Sequence, residues 1–159
     1  MSAARIPFGP QTFTPADAAF EQRVRASFAR QRVMSTIGAE LTSVSPGEVV
    51  IELPFREDLT QQHGYLHAAM ITAIVDSACG YAASTLMPAD AAVLTAEYKV
   101  NFLAPAAGRR FVAYGRVMKP GRTLTVTVGD VIAETEAGPK QVATMLATIM
   151  TVGGREISG

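Results

Sequence analysis

The sequence has little of what disulfides, metal sites and nucleic-acid contacts require. Cys79 is the one cysteine among 159 residues, so neither a disulfide nor a cysteine-rich metal site can form within the chain. The two histidines, His63 and His67, have no nearby third ligand, which disfavours a metal site; no cofactor is expected. Fourteen basic residues balance fourteen acidic ones without forming a basic block, so nucleic-acid binding is not predicted.

A targeting or membrane-spanning segment is also missing. The N-terminal stretch MSAARIPFGPQTF holds no continuous apolar run, so no signal peptide is expected. Residues 65–87 are long enough to span a bilayer, but 11 of the 23 are Ala, Gly, Ser or Thr, and the run includes His67 and Asp76. A central Asp costs about 3 kcal/mol on insertion scales. We therefore predict a buried helix of a cytoplasmic protein, with no membrane partner.

The remaining chain is typical of one globular domain of common size. Residues 1–14, rich in Pro, Thr and Gly, are predicted to form an arm, and residues 15–159 a single domain. A helix is predicted to begin with Thr14 as N-cap and Pro15 as its first residue. Its apolar side chains recur every four residues and would pack on the body of the domain; they are Phe20, Val24 and Phe28.

Strand-like segments dominate on both sides of one apolar helix. IGAELTSVSPGEVVIELPF reads as two strands joined by a turn, and the buried helix covers about 67–86, ending before Pro88. Four further strands follow, separated by short Gly/Pro turns, and these predict antiparallel meander pairing. The first of them, 93–103, alternates as a half-buried strand. The predicted fold class is α+β, with one antiparallel sheet curled around a central helix.

Asp76 is the one formally charged residue between Asp58 and Asp90. A carboxylate in such an apolar run costs several kcal/mol to desolvate unless it is hydrogen-bonded or protonated. On a helical period its neighbours are small, and the opposite face is bulky and should enter the concave sheet. The small face holds Ala69, Thr72, Ala73, Gly80 and Ala83; the bulky face holds Met70, Ile71, Ile74 and Tyr81. The small face is open to a second subunit or a thin ligand, so a structural and a chemical role for Asp76 both remain.

The segment before the helix adds polar groups. QQHGYLH supplies amides and imidazoles, and the first helical turn presents backbone N–H groups that have no partner inside the helix. Such a terminus stabilises an oxyanion by direct hydrogen bonds and by the helix dipole. Together with Asp76 two turns further on, these groups form a plausible acyl-transfer site, although the residues alone do not decide between this site and a structural Asp.

At these residues the sequence resembles the PaaI-type branch of the hotdog-fold acyl-CoA thioesterases. The resemblance covers roughly 35–152 and is strongest in QQHGYLHAAMITAIVDSACGYAA and VLTAEYKVNFLAPAAG. The family pattern is an amide residue, then His-Gly-Gly at a helix start, then an acid within that helix. Gln61 and Asp76 stand at the amide and acidic positions, and His67-Ala68-Ala69 replaces the His-Gly-Gly triplet. Thr95 stands where the family often has a hydroxyl residue that reaches the site from the facing subunit.

The resemblance implies a hotdog fold and hydrolysis of an acyl-CoA thioester by a homodimer or a dimer of dimers. The implied catalytic groups are the Ala68 N–H for the thioester carbonyl, the Gln61 amide, Asp76 of the partner subunit as general base or nucleophile, and Thr95 as the group that orients it. The implied substrate-binding residues are His67, Ala69, Thr72 and Arg122. His67 is interpreted chiefly as a structural residue of the helix start. Arg122, with Lys99 and Lys119, is a candidate contact for the CoA phosphates, and a solvated turn at residues 121–123 explains Arg122 equally well.

Two other functions compete with thioester hydrolysis. A hotdog dehydratase or hydratase needs a histidine a few residues after an Asp, or one in a distinct Pro/Gly context, and no histidine follows Asp76. A non-catalytic hotdog module that binds acyl-CoA remains the alternative, against which stands the retention of a desolvated carboxylate.

Overall fold

A computed structural model describes residues 12–153. Two short helices come first, a third crosses the sheet, and six strands complete the domain. In chain order they are α1 (Phe20–Arg30), α2 (Arg32–Ile37), β1 (Glu40–Ser45), β2 (Glu48–Pro54), α3 (Ala68–Ser84), β3 (Ala91–Phe102), β4 (Arg110–Lys119), β5 (Leu124–Thr135) and β6 (Gly138–Gly153), with one 3-10 turn at Glu57–Leu59. Among these helices, none is long and apolar enough to cross a membrane.

The six strands form one antiparallel sheet in the order β1-β2-β4-β5-β6-β3, and α3 packs against it. The α+β prediction is confirmed. The predicted meander is correct for β4, β5 and β6 but wrong for β3, which pairs with β6 from Ala91↔Gly153 to Phe102↔Ala143. The Gly/Pro turn after β3 was identified correctly, but a turn signal shows where the chain changes direction and not which strand it joins next.

Small residues bring α3 onto the sheet. A Cβ atom on Gly115 would overlap the backbone of Ala78 and Cys79, and one on Gly129 would meet Val75 and the Cys79 thiol. Close approach of helix and sheet thus requires glycine at both strand positions. The prediction that the bulky face enters the sheet is right for Ile71 and Ile74, both fully buried, but the closest contact is made by small residues.

The N-terminal helix begins later than predicted. Residues 16–19 form a turn in which Asp17 accepts a hydrogen bond from the Ala19 N–H at 2.9 Å, and α1 starts at Phe20. The proposed Thr14–Pro15 start is therefore wrong: the Asp17 side chain satisfies backbone groups locally, which competes with helix formation. The apolar stripe of this helix does face the core, with Val24 fully buried. Helix α2 was not predicted, and most of the predicted arm lies outside the described residues.

Strand β3 lies at the sheet edge and extends past the cover that α3 provides. Tyr98 and Phe102 pair with the fully buried residues Ala147 and Ala143, and directly paired residues share a face of the sheet. Both aromatic rings therefore lie on the helix side, yet they remain 46% and 50% exposed. The predicted half-buried strand is instead largely exposed within one chain, because α3 contacts β3 near Thr95 but leaves Tyr98 and Phe102 uncovered.

Candidate active site

The Asp76 carboxylate is held by one hydroxyl. Thr95 donates a hydrogen bond from Oγ1 to Asp76 Oδ1 at 2.8 Å. Thr95 stands where the β3–β6 register shifts, between Thr95 and Glu97, an irregularity of the kind that redirects a side chain. Half-burial raises the pKa of Asp76 by desolvation, and the Thr95 hydrogen bond opposes that rise. The site thus contains a carboxylate that is more basic than usual and has one oxygen already oriented.

A cleft of about 500 Å³ opens beside this pair, between α1, α3 and the start of β3. Its walls are polar on the helix side and apolar along the start of β3. Ser27 and Arg30 come from α1 and Gln31 from its C-cap, while Ser77 and Tyr81 come from α3. A side chain that adjoins such a cavity with a perturbed pKa is a candidate for chemistry.

The start of α3 leaves one backbone donor free. His67 is the N-cap, and its Nδ1 accepts a hydrogen bond from the Ala69 N–H at 3.0 Å; the neutral ring must then carry its proton on Nε2. The Met70 N–H is bonded to the His67 carbonyl at 2.9 Å. Within residues 12–153 the Ala68 N–H has no such acceptor. The predicted oxyanion donor is therefore available, whereas the N–H of Ala69 is occupied by His67.

Gln61 lies near the same helix start. Its Oε1 accepts a hydrogen bond from the backbone N–H of His63, and its backbone N–H is bonded to the Tyr65 carbonyl at 2.9 Å. Gln61 and Ala68 both line a second, more apolar cavity of about 360 Å³. The amide and the free N–H are thus brought together.

These two groups of residues are separate in one chain. Ala68 and Asp76 are eight residues apart on α3, which places them about 12 Å apart along the helix axis, and they line different cavities. Asp76 and Thr95, predicted to approach the site from the facing subunit, lie together. Gln61 and Ala68, predicted for the other half, also lie together. Neither half reaches the other within a single copy.

The remaining predicted binding residues lie apart from both cavities. Thr72 donates its hydroxyl to the Ala68 carbonyl at 3.0 Å and so serves its own helix. Arg122 is exposed in the turn between β4 and β5 and lines neither cavity. The sequence interpretation missed Arg30 and Gln31 as cleft residues, because the apolar stripe of α1 indicates only which face docks on the body.

The chain is similar to known proteins in both sequence and structure. The model of the thioesterase superfamily matches residues 63–140. The crystal structure of a thioesterase family protein from Silicibacter pomeroyi shares 51% identity, covers 85% of this chain and 99% of its own, and has a TM-score of 0.83. The chain belongs to the thioesterase superfamily. The family and hotdog fold predicted from the sequence are thereby confirmed.

Two more distant members add context. The E. coli PaaI protein from the phenylacetic acid degradation operon is similar in fold, with a TM-score of 0.75 at 20% identity over 85% of this chain and 94% of that one. A 1,4-dihydroxy-2-naphthoyl-CoA hydrolase of Listeria monocytogenes is 28% identical over 104 residues, which are 65% of this chain and 85% of that relative. This thioesterase superfamily chain is thus similar to a relative that is named as a hydrolase.

Proposed function

We propose that this member of the thioesterase superfamily hydrolyses an acyl-CoA thioester, with Asp76 as its catalytic carboxylate. The observation that carries the proposal is the Asp76–Thr95 hydrogen bond of 2.8 Å beside a cleft, with the pKa of Asp76 raised by desolvation. The CoA thioester named for the Listeria relative supports CoA as the leaving group.

The working site would combine two copies of the chain. Asp76 and Thr95 from one copy would face Gln61 and the Ala68 N–H of the other, which removes the separation of about 12 Å found in one chain. The exposed aromatic rings of β3, Tyr98 and Phe102, support a second copy at this edge, since exposed apolar surface of this kind commonly marks an interface. A symmetric pair would then carry two equivalent sites, and a dimer of dimers would use the same pairing.

In the proposed reaction the thioester carbonyl oxygen accepts a hydrogen bond from the Ala68 N–H, at the positive end of the α3 dipole. Asp76 removes a proton from water while the water oxygen attacks the carbonyl carbon. The C–S bond then breaks, and the CoA thiolate leaves and takes up a proton. Thr95 holds Oδ1, so Oδ2 is the oxygen available to the water. The Gln61 Nε2 group would donate a hydrogen bond on the acyl or sulfur side.

A direct attack by Asp76 on the carbonyl carbon is the other route. It forms a mixed anhydride, which water then opens. A single turnover in ¹⁸O-labelled water detects the anhydride route when water opens the anhydride at its aspartyl carbonyl; attack at the acyl carbonyl gives the same labelling as general-base catalysis. General-base catalysis puts label in the acid product of the first turnover. If water instead attacks the aspartyl carbonyl of an anhydride, the first acid product takes its oxygen from Asp76, and the label enters the protein.

The test of the proposed function is thiol release from a panel of short, medium and aromatic acyl-CoAs. The native chain should release CoA from at least one class, and Asp76→Asn should lower kcat by about 100-fold or more, which is the usual contribution of a positioned base. Saturable acyl-CoA binding without any thiol release would overturn the proposal in favour of the non-catalytic binding module.

A further inference from the structure

We propose, building on the proposed function, that the cleft between α1 and α3 holds the acyl group and selects acyl groups that end in a carboxylate. Arg30 would be the cation that binds this carboxylate, and Gly80 would be the position that keeps the cleft open.

The direction of the cleft follows from three cross-helix contacts. Gln31 bonds to Ser77 at 3.2 Å, Ser27 meets the Tyr81 hydroxyl at 3.3 Å, and Arg23 bonds to the Ser84 hydroxyl at 3.1 Å. Descending numbers on α1 match ascending numbers on α3, so the helices are antiparallel. The cleft therefore leads away from Asp76 along α3 toward Ser84, over about 12 Å.

Gly80 leaves this space empty. It lies one turn beyond Asp76 in the middle of α3, where glycine costs about 1 kcal/mol relative to alanine. A Cβ atom there would meet nothing within 4 Å, in contrast to Gly115 and Gly129, whose contacts explain them. No packing within residues 12–153 accounts for the glycine, and it lines the cleft. A ligand that extends past Asp76 does account for it.

The two arginines of the cleft differ in how many hydrogen bonds their guanidinium groups already make. Arg23 is engaged by the Asp17 carboxylate, the Ser84 hydroxyl and backbone carbonyls at 3.0 Å. Arg30 makes only a hydrogen bond of 3.3 Å from Nη1 to the Ala26 carbonyl and no ion pair within residues 12–153. This bond folds its side chain back along α1, toward the level of Tyr81.

Charge then decides the ligand. Within residues 12–153, Asp76 is the sole acidic residue lining the cleft, and it would be used at the thioester. Arg23 is already paired with Asp17. Gln31, Ser27 and Tyr81 already have hydrogen-bond partners across the helices. Arg30 is therefore the lining group whose charge is left for a ligand. A carboxylate one turn past the reacting carbonyl would accept charge-assisted hydrogen bonds from Arg30.

The test compares hexanoyl-CoA with adipoyl-CoA, which have equal chain length and differ in the terminal carboxylate. The native chain should prefer adipoyl-CoA in kcat/KM, and Arg30→Gln should lower the adipoyl-to-hexanoyl ratio about tenfold, as expected for the loss of a hydrogen bond between charged groups. Arg32→Gln is the matched control, because Arg32 carries the same charge two residues away and does not line the cleft.

Gly80→Leu should lower kcat/KM for both thioesters at least tenfold with the oligomeric state preserved.

An unchanged ratio in Arg30→Gln would overturn the inference. An equal loss for both thioesters would also overturn it and would assign Arg30 to the CoA phosphates. If Gly80→Leu breaks the oligomer apart, the space beside Gly80 belongs to a second chain and not to the acyl group. The dissociation constants of adipoyl-CoA and hexanoyl-CoA for Asp76→Asn give the binding preference without turnover. The proposal for the acyl cleft can therefore be refuted while the proposed hydrolysis is supported, and the reverse.

Discussion

Thr95 lies 19 residues after Asp76 in the sequence, yet its hydroxyl donates to Asp76 Oδ1 at 2.8 Å. An edge strand and the central helix thus share one polar contact at the rim of the cleft. The contact stabilises the ionised carboxylate and fixes which of its oxygens faces outward.

Loss of this hydroxyl should alter the pH profile. Thr95→Val removes the one hydrogen bond that lowers the pKa of Asp76, while desolvation still raises it. Because the base must be ionised, activity falls as pH drops through that pKa. The acidic limb of kcat/KM should therefore move to higher pH in Thr95→Val and stay near its native position in Thr95→Ser. An unmoved limb in the valine variant would show that Asp76 does not control it.

Asp76→Asn should be inactive and more stable near neutral pH. Burial raises the pKa of Asp76 above its value in the unfolded chain, so ionisation favours unfolding, and this cost is present above the folded pKa. It disappears as pH falls below the unfolded pKa, where the carboxyl is neutral in both states. The gain in Tm should therefore be seen at pH 7 and be lost near pH 3. A Tm that is lower than native at pH 7 would contradict a desolvated carboxylate.

His67→Ala should weaken the start of α3. The imidazole caps the Ala69 N–H, and loss of an N-cap costs about 1 kcal/mol. We expect a lower free energy of unfolding in urea, with the pH profile of kcat/KM unchanged in shape. His67→Asn, which restores a capping oxygen, should recover most of the stability. If His67 were a proton shuttle, neither variant would keep the profile.

Gly80→Ala and Gly115→Ala form a contrasting pair. At Gly80 a Cβ atom meets nothing within 4 Å, so alanine should stabilise the chain by up to about 1 kcal/mol. At Gly115 it would overlap the backbone of Ala78, so alanine should destabilise by about 1–3 kcal/mol. Urea unfolding of both variants measures this difference; equal effects would contradict the described packing of α3.

The fold was largely predictable because its periodic elements are strong. The apolar helix, the strands and their turns are visible as patterns, and α3 begins at Ala68 and ends before Pro88 as expected. Strand order was not predictable, since β3 pairs with β6 through backbone hydrogen bonds that any strand could offer. The start of α1 was missed because a local Asp17 hydrogen bond outweighs the helix signal of Thr14 and Pro15.

The sequence predicted the residues of the candidate site but not their arrangement in space. Helical spacing pointed to Asp76, and the family pattern added Gln61 and Thr95, yet spacing cannot show that the two halves lie apart in one chain. The position of Arg30 beside the cleft could not be predicted from the sequence, because an arginine on a helix surface is common. Oligomeric state and a cytoplasmic location remain predictions.

The central claim is that Asp76 and the Ala68 N–H act from different copies, and subunit complementation tests it most directly. Ala68→Pro removes that N–H, and proline is tolerated here because Ala68 is the first helical residue and His67 is extended, with ψ 138°. Each of Asp76→Asn and Ala68→Pro should be inactive alone. After unfolding and refolding as an equal mixture, half of the dimers are mixed and hold one intact site of two, so thiol release should return to about a quarter of the native rate. A mixture as inactive as its parents would contradict the shared site.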